Sequence, residues 1–141
     1  MAVKRWFNMP EMIVPEGLKE RTEQMQFAPA VRAGDMVFLS GVIAALQEGE
    51  PASDEAYFRG ADEAFAEIDM ILKQAGGSMA DVVDITGYHV GDFNAHLMPV
   101  MQAKAKWMPG PFFSCYTLIG ISALFNPLGF VELKARAYIP Q

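Results

Sequence analysis

One acid in this chain sits in an unusual setting. Glu132 lies in Phe-Val-Glu-Leu, between apolar residues, near the end of the run from Pro109 to Pro140. Burying a carboxylate there costs free energy unless the group is hydrogen-bonded or put to use. On a central strand beside an apolar cleft, Glu132 would hold and activate a water as a general acid or base. A structural carboxylate bonded to backbone N–H groups or to a basic neighbour would account for it equally well, and the residue types alone do not separate the two. Cys115, the only cysteine, would need a nearby base or positive charge to act as a nucleophile, and no local Cys-His pattern supplies one; it reads as a small buried hydrophobe. His89, Asp92 and His96 fall within eight residues and offer enough nitrogen and oxygen for an open zinc site. Their spacing crosses a strand end and a helix start and follows no known ligand pattern, so they read as a capping acid and two polar or half-buried histidines. The glycines form no phosphate-binding loop, and there is no Gly-x-Ser-x-Gly elbow. Neither metal nor cofactor is expected.

The elements that must position these groups can be read in order. Gln26 to Val31 leads through Arg32-Ala-Gly-Asp35 into Met36 to Ile43, a hairpin whose second strand is apolar on both faces and therefore central. Gly41 within that strand predicts a bulge or the close approach of another group. Ser53, Asp54 and Glu55 open a helix with apolar residues at helical spacing from Phe58 to Ala75, stopped by Gly76-Gly77. Asp81 to Val90 predicts a strand with Val83, Ile85, Gly87 and His89 on one face. A second helix follows, capped by Asp92 and either starting near Met98 or kinked at Pro99. Strands at about Phe113 to Ile121 and Phe130 to Ile139 complete the order β-β-α-β-α-β-β. This is one α+β domain over residues 26–141, preceded by an N-terminal extension, residues 1–25, in which Pro10 and Pro15 break any helix and the charged mix after Pro15 fits a loop, a short helix or an edge strand. Helical crossovers predict parallel neighbours at those joins, with both helices on one face of the sheet.

Composition narrows the function classes. Hydrophobic residues make up 52% of the 141 and charged residues only 20%, a lean surface that, with a sheet face lacking cover, predicts a homo-oligomer. Net charge is −6, and eight acids surround the single base Arg59 between Glu48 and Asp69. Such a face repels phosphate, so nucleic acid is a poor partner. The first residues form no apolar leader and no run approaches a membrane span, which sets a reducing cytoplasm as the expected compartment.

Several stretches, taken together, resemble the RidA/YjgF family, also called endoribonuclease L-PSP or reactive intermediate deaminase: Phe-Ala-Pro-Ala-Val-Arg-Ala-Gly-Asp-Met-Val-Phe-Leu-Ser-Gly at 27–41, the helix ending in Ala-Gly-Gly, Asp-Val-Val-Asp-Ile-Thr at 81–86, Asp92-Phe93, and Val-Glu-Leu-Lys-Ala-Arg-Ala at 131–137. The resemblance runs from about residue 26 to 139 and implies a chorismate-mutase-like fold, a homotrimer and ligand clefts between subunits. It also implies that Glu132 matches the glutamate that positions water for imine hydrolysis. Where deaminating members carry a carboxylate-binding arginine, this chain has Tyr116, followed by Thr117; an alignment anchored on Ser114-Cys115 places Phe113 there instead. Phe27 replaces a frequent tyrosine and Leu97 an asparagine, and all three changes remove polar groups from the implied cleft.

The leading expectation is therefore a trimeric protein whose cleft takes a small, less charged metabolite. Glu132 would be its catalytic acid, Tyr116 and Thr117 would orient the ligand, Phe27 would form a wall, and backbone near Gly41 would complete the site. A non-catalytic small-molecule binder or sensor, and an endoribonuclease or translation inhibitor, are the alternatives.

Overall fold

The computed structural model describes residues 9–141; the first eight residues of the predicted N-terminal extension lie outside the described residues. Seven strands form one mixed sheet: β1 (Glu11–Ile13), β2 (Ala30–Ala33), β3 (Met36–Leu39), β4 (Val42–Ala45), β5 (Val82–Val90), β6 (Cys115–Ile121) and β7 (Gly129–Tyr138). Three α-helices accompany them: α1 (Lys19–Met25), α2 (Asp54–Gln74) and α3 (Leu97–Trp107). The sheet order is β1-β2-β3-β7-β5-β6, with β4 also paired to β7. Residues 11–25 thus supply an edge strand, antiparallel to β2, a 3-10 turn at Glu16–Leu18 and a short helix.

The strand expected from Met36 to Ile43 is two strands. Both run antiparallel along β7, β3 against its C-terminal half and β4 against its N-terminal half. From Phe38↔Arg136 to Val42↔Leu133, three residues on one side face two on the other. The extra residue breaks the ladder at Ser40-Gly41, as a bulge does. The break is held open by Ser40, whose Oγ donates to Ala28 O (2.6 Å) and whose N–H donates to Pro29 O (2.9 Å).

Helix α2 begins where the sequence places it, with the Ser53 hydroxyl accepting from Ala56 N–H at 3.1 Å and Asp54 and Glu55 in the first turn. Its apolar stripe of Ala61, Ala64, Phe65, Ile68, Ile71 and Leu72 is buried against Val42, Ala44, Val131, Leu133 and Ala135 of the sheet. Helix α3 starts one residue before Met98 and places Pro99 in its first turn, where the missing N–H costs nothing. Asp92 caps the 3-10 turn Phe93–Ala95 ahead of it rather than α3 itself. The two helices are tied by Asp62, which accepts from Lys106 Nζ and Trp107 Nε1, both at 2.8 Å.

The crossover from β5 through α3 gives a parallel neighbour, β6. The crossover from β4 through α2 does not, because β7 is inserted between β4 and β5 and pairs antiparallel with both. The chain's last strand is therefore the centre of the sheet. Ile85, Gly87 and His89 share one face as expected, and it is the face that the helices cover; a register shift between Val82 and Asp84 turns Val82 inward in place of Val83. The opposite face has no cover within the described residues, leaving Phe38, Ile119 and Tyr138 exposed at 40%, 39% and 51%.

Arg32, buried, ties the two ends of this architecture. Its guanidinium donates to Ile139 O at 2.7 Å and to Ala75 O at 2.6 Å, joining the hairpin to the end of β7 and the end of α2. Replacing it by alanine strands two carbonyls and opens a cavity, so Arg32→Ala is expected to lose about 2–4 kcal/mol of unfolding free energy. Urea denaturation followed by circular dichroism measures this.

Candidate functional site

A cleft of about 1020 Å³ runs along the edge of β4 that carries no strand partner among the described residues. Its walls are α1, the side of α2 that carries Arg59, Glu63 and Glu67, and the Phe125-Asn126-Pro127 loop, and Phe27, Gly41 and Glu132 all line it. β7 places Glu132 opposite Ile43 of β4 and Tyr88 of β5, on the uncovered face of the sheet. The side chain reaches the cleft across the break at Gly41. A Cβ at that position would stand 2.6 Å from Glu132 Cδ and 2.8 Å from its Cγ, closer than real contacts allow. Glycine is required here for the second group's approach, which is the close approach its place in a strand predicted.

The half-buried Glu132 carboxylate makes no hydrogen bond or ion pair with the described residues. Its basic neighbour two positions on, Lys134, donates instead to Leu39 O at 3.0 Å. The structural alternative, a carboxylate tied to backbone N–H groups or to a base, is thus not what the geometry presents. The other charged groups of the cleft are engaged with one another. Arg59 donates to Glu50 (2.7 Å), to Glu63 (2.8 Å) and to Ala45 O (3.2 Å), and Arg21 pairs with Glu67 at 3.0 Å. The Gln47 N–H and then the Arg59 guanidinium hold Glu50 below the usual carboxylate range.

Tyr116 and Thr117 do not line this cleft. Thr117 is exposed on the uncovered face, in register with Thr86. Tyr116 alternates to the helix side, where its hydroxyl lies 3.2 Å from His89 Nε2, and His89 Nδ1 lies 3.1 Å from His96 Nε2. The two imidazoles are stacked 6° from parallel with centroids 5.2 Å apart. Both are fully buried, not half-buried as the sequence suggested, because β5 turns residue 89 toward α3 and Tyr57, Phe93 and Phe130 close around the pair. Gly87 makes room for them, since a Cβ there would lie 2.7 Å from His89 Nε2. Asp92 does not join the histidines; its carboxylate caps Asn94 N–H at 3.1 Å. No group of three potential metal ligands occurs among the described residues.

Cys115 is exposed rather than buried. It opens β6, an edge strand, on the face that the chain does not cover. Sequence reasoning missed the Tyr116–His89–His96 chain and the paired arginines of the cleft. Strand alternation from Ile85 could have placed His89 inward, but nothing local indicates that His96 meets it.

An α+β sheet whose last strand is central, with two crossover helices on one face, defines the architectural class. The chain belongs to the endoribonuclease L-PSP family, whose model matches residues 19–139; the RidA/YjgF resemblance of its sequence is thereby established. It is 27% identical over 130 residues to the RutC family protein YjgH of Escherichia coli K12, covering 92% of this chain and 95% of YjgH. A solved structure of protein YjgH matches with a TM-score of 0.77 at 25% identity, over 93% of this chain and 97% of that one. A YjgF-family structure from Mycobacterium tuberculosis matches with a TM-score of 0.73 at 24% identity, over 93% and 100% of the two chains. No helix among the described residues is long and apolar enough to cross a membrane.

The histidine pair gives a pH prediction. Burial, and then the neighbouring His96, lower His89 to about 4, and burial likewise lowers His96. The unfolded chain therefore binds more protons than the folded one below about pH 6.5. Stability is fully present above that pH and falls as pH drops toward about 4, by up to about 1.4 kcal/mol per unit for one such histidine. Urea midpoints across that range check the slope, which is expected to shrink in His89→Phe.

Proposed function

We propose that this protein is a hydrolase of the RidA type, releasing ammonia from a small imine in the cleft beside Glu132. The observation that carries the reading is a carboxylate on the central strand with no partner among the described residues, reaching an otherwise largely apolar cleft past a glycine. Glu132 holds a water and takes one of its protons as the oxygen adds to the carbon of the protonated imine. The resulting carbinolamine then receives that proton from Glu132 on its nitrogen and loses ammonia, the C–N bond breaking as the carbonyl forms and the hydroxyl proton passing through Glu132 to the ammonia, so that iminium and water give carbonyl and ammonium. Water is the only co-reactant.

The uncovered sheet face supports a homotrimer in this proposal. Phe38, Ile119 and Tyr138 would be buried between copies, and a neighbouring copy's β6 and the segment just before it would bring Thr117 and Phe113 to the cleft. Tyr116, held by His89 on the helix side, contributes from behind the strand by fixing β6. With Phe113 and Leu97 in place of polar groups, the site suits a ligand lacking the usual carboxylate anchor.

Ammonia release from enzymatically generated imines is the test. The wild-type protein is expected to accelerate it, and Glu132→Gln to lose about 10²-fold or more of that acceleration while keeping its thermal transition. Saturable ligand binding with no turnover across the panel would identify a binder instead. Light scattering is expected to give three times the chain mass of 15.5 kDa; a monomer would remove the neighbour's part of the site.

A further inference from the structure

The charges lining the cleft are two arginines, Arg21 and Arg59, and three glutamates, Glu63, Glu67 and Glu132. Neither arginine is unpaired among the described residues. Arg59 spends Nε and Nη2 on Glu50, Nη1 on Glu63 and Nη2 again on Ala45 O, at 3.4, 2.7, 2.8 and 3.2 Å. Arg21 is paired with Glu67 at 3.0 Å. Three carboxylates thus share two guanidinium groups, and Glu132 has neither. Among the described residues a ligand carboxylate would meet no unpaired cation: it would have to displace Glu50 or Glu63 from Arg59, share Arg21 with Glu67, or sit beside Glu132, which neither guanidinium neutralises. A cation would find that carboxylate already in place.

From this we infer that the cleft selects a cation: its ligand carries a protonated nitrogen and no carboxylate, with Glu132 as the counter-ion. The inference rests on the reading of this cleft as the ligand site and names the substrate class that fits it. An alkyl or aryl iminium ion, R–CH=NH₂⁺, satisfies both terms. Its positive carbon–nitrogen unit is drawn to Glu132, and its R group packs against Phe27, Val42, Leu46 and Phe125, which line the same cavity. Hydrolysis consumes one water and gives the aldehyde and ammonium. Oxidation of a primary amine is the class of reaction that supplies such an ion, in contrast to the amino-acid chemistry that supplies 2-imino acids.

The probes are benzylamine, benzyl alcohol and benzoate, similar in size and carrying positive, zero and negative charge at pH 7. Binding to the full-length protein is followed by calorimetry and by amide shifts at Gly41 and Glu132 in low salt. Benzylamine is expected to bind about tenfold tighter than benzoate, with benzyl alcohol between them, and the preference should shrink with added salt. In Glu132→Gln the benzylamine advantage should vanish. In Glu50→Gln, which releases part of the Arg59 charge, benzoate should gain about threefold or more; this variant keeps the test decisive even if the first does not fold. Equal binding, benzoate preference, an amine preference that survives in Glu132→Gln, or unchanged benzoate binding in Glu50→Gln overturns the inference. Hydrolysis of a 2-imino acid in preference to benzaldimine would also overturn it while leaving the hydrolase reading intact. Amine selectivity without turnover of any imine would do the reverse.

Discussion

The break at Ser40-Gly41 is the constraint on which the site depends. β3 and β4 share β7 as a partner, and the one residue they carry in excess must leave the ladder somewhere. It leaves where Ser40 can be anchored to the Ala28 and Pro29 carbonyls and where a glycine lets Glu132 fill the space a Cβ would occupy. One local irregularity thereby bends the strand away from β2, leaves an edge of β4 without a strand partner among the described residues, and places a carboxylate at the cleft that results. A regular strand from Met36 to Ile43 would have paired throughout and left Glu132 in an ordinary cross-strand row.

On the other side of the sheet a second polar feature is held under different physics. Tyr116, His89 and His96 satisfy one another in a buried setting that favours the neutral forms: burial pushes the Tyr116 hydroxyl up to about 12 and His89 down to about 4. The two arrangements share β7 and β5 but point to opposite faces. One is open and charged, the other closed and neutral. That separation lets a single sheet carry a half-buried acid with no partner among the described residues while the charges buried elsewhere are partnered, Arg32 by carbonyls and Asp69 by Lys73.

Much of the fold was legible in the sequence because its signals are local. Ser53 and Gly76-Gly77 bracket α2, helical spacing identifies its buried stripe, and Pro99 left only a first-turn position or a kink, of which the structure takes the first. The unusual setting of Glu132 and the glycine at 41 were visible for the same reason. What was not legible depends on partners distant in the chain. The insertion of β7 between β4 and β5 is decided by pairing between segments far apart in sequence, which no local pattern encodes. Tyr116 was placed with Glu132 because the family resemblance aligns it with a carboxylate-binding arginine, yet within one chain strand alternation and the parallel register with β5 send it to the opposite face. The burial of His96 and the exposure of Cys115 likewise follow from where a helix and an edge strand come to rest.

In the proposed function Glu132 is held unpaired at Gly41 to engage a water in the cleft. A crystal structure of the protein at near-atomic resolution would reveal that water. It is expected about 2.8 Å from the Glu132 carboxylate on its cleft side, with Lys134 still bonded to the Leu39 carbonyl. A Glu132 side chain closed onto Lys134 or onto backbone N–H groups, with no water between it and the cleft, would contradict it.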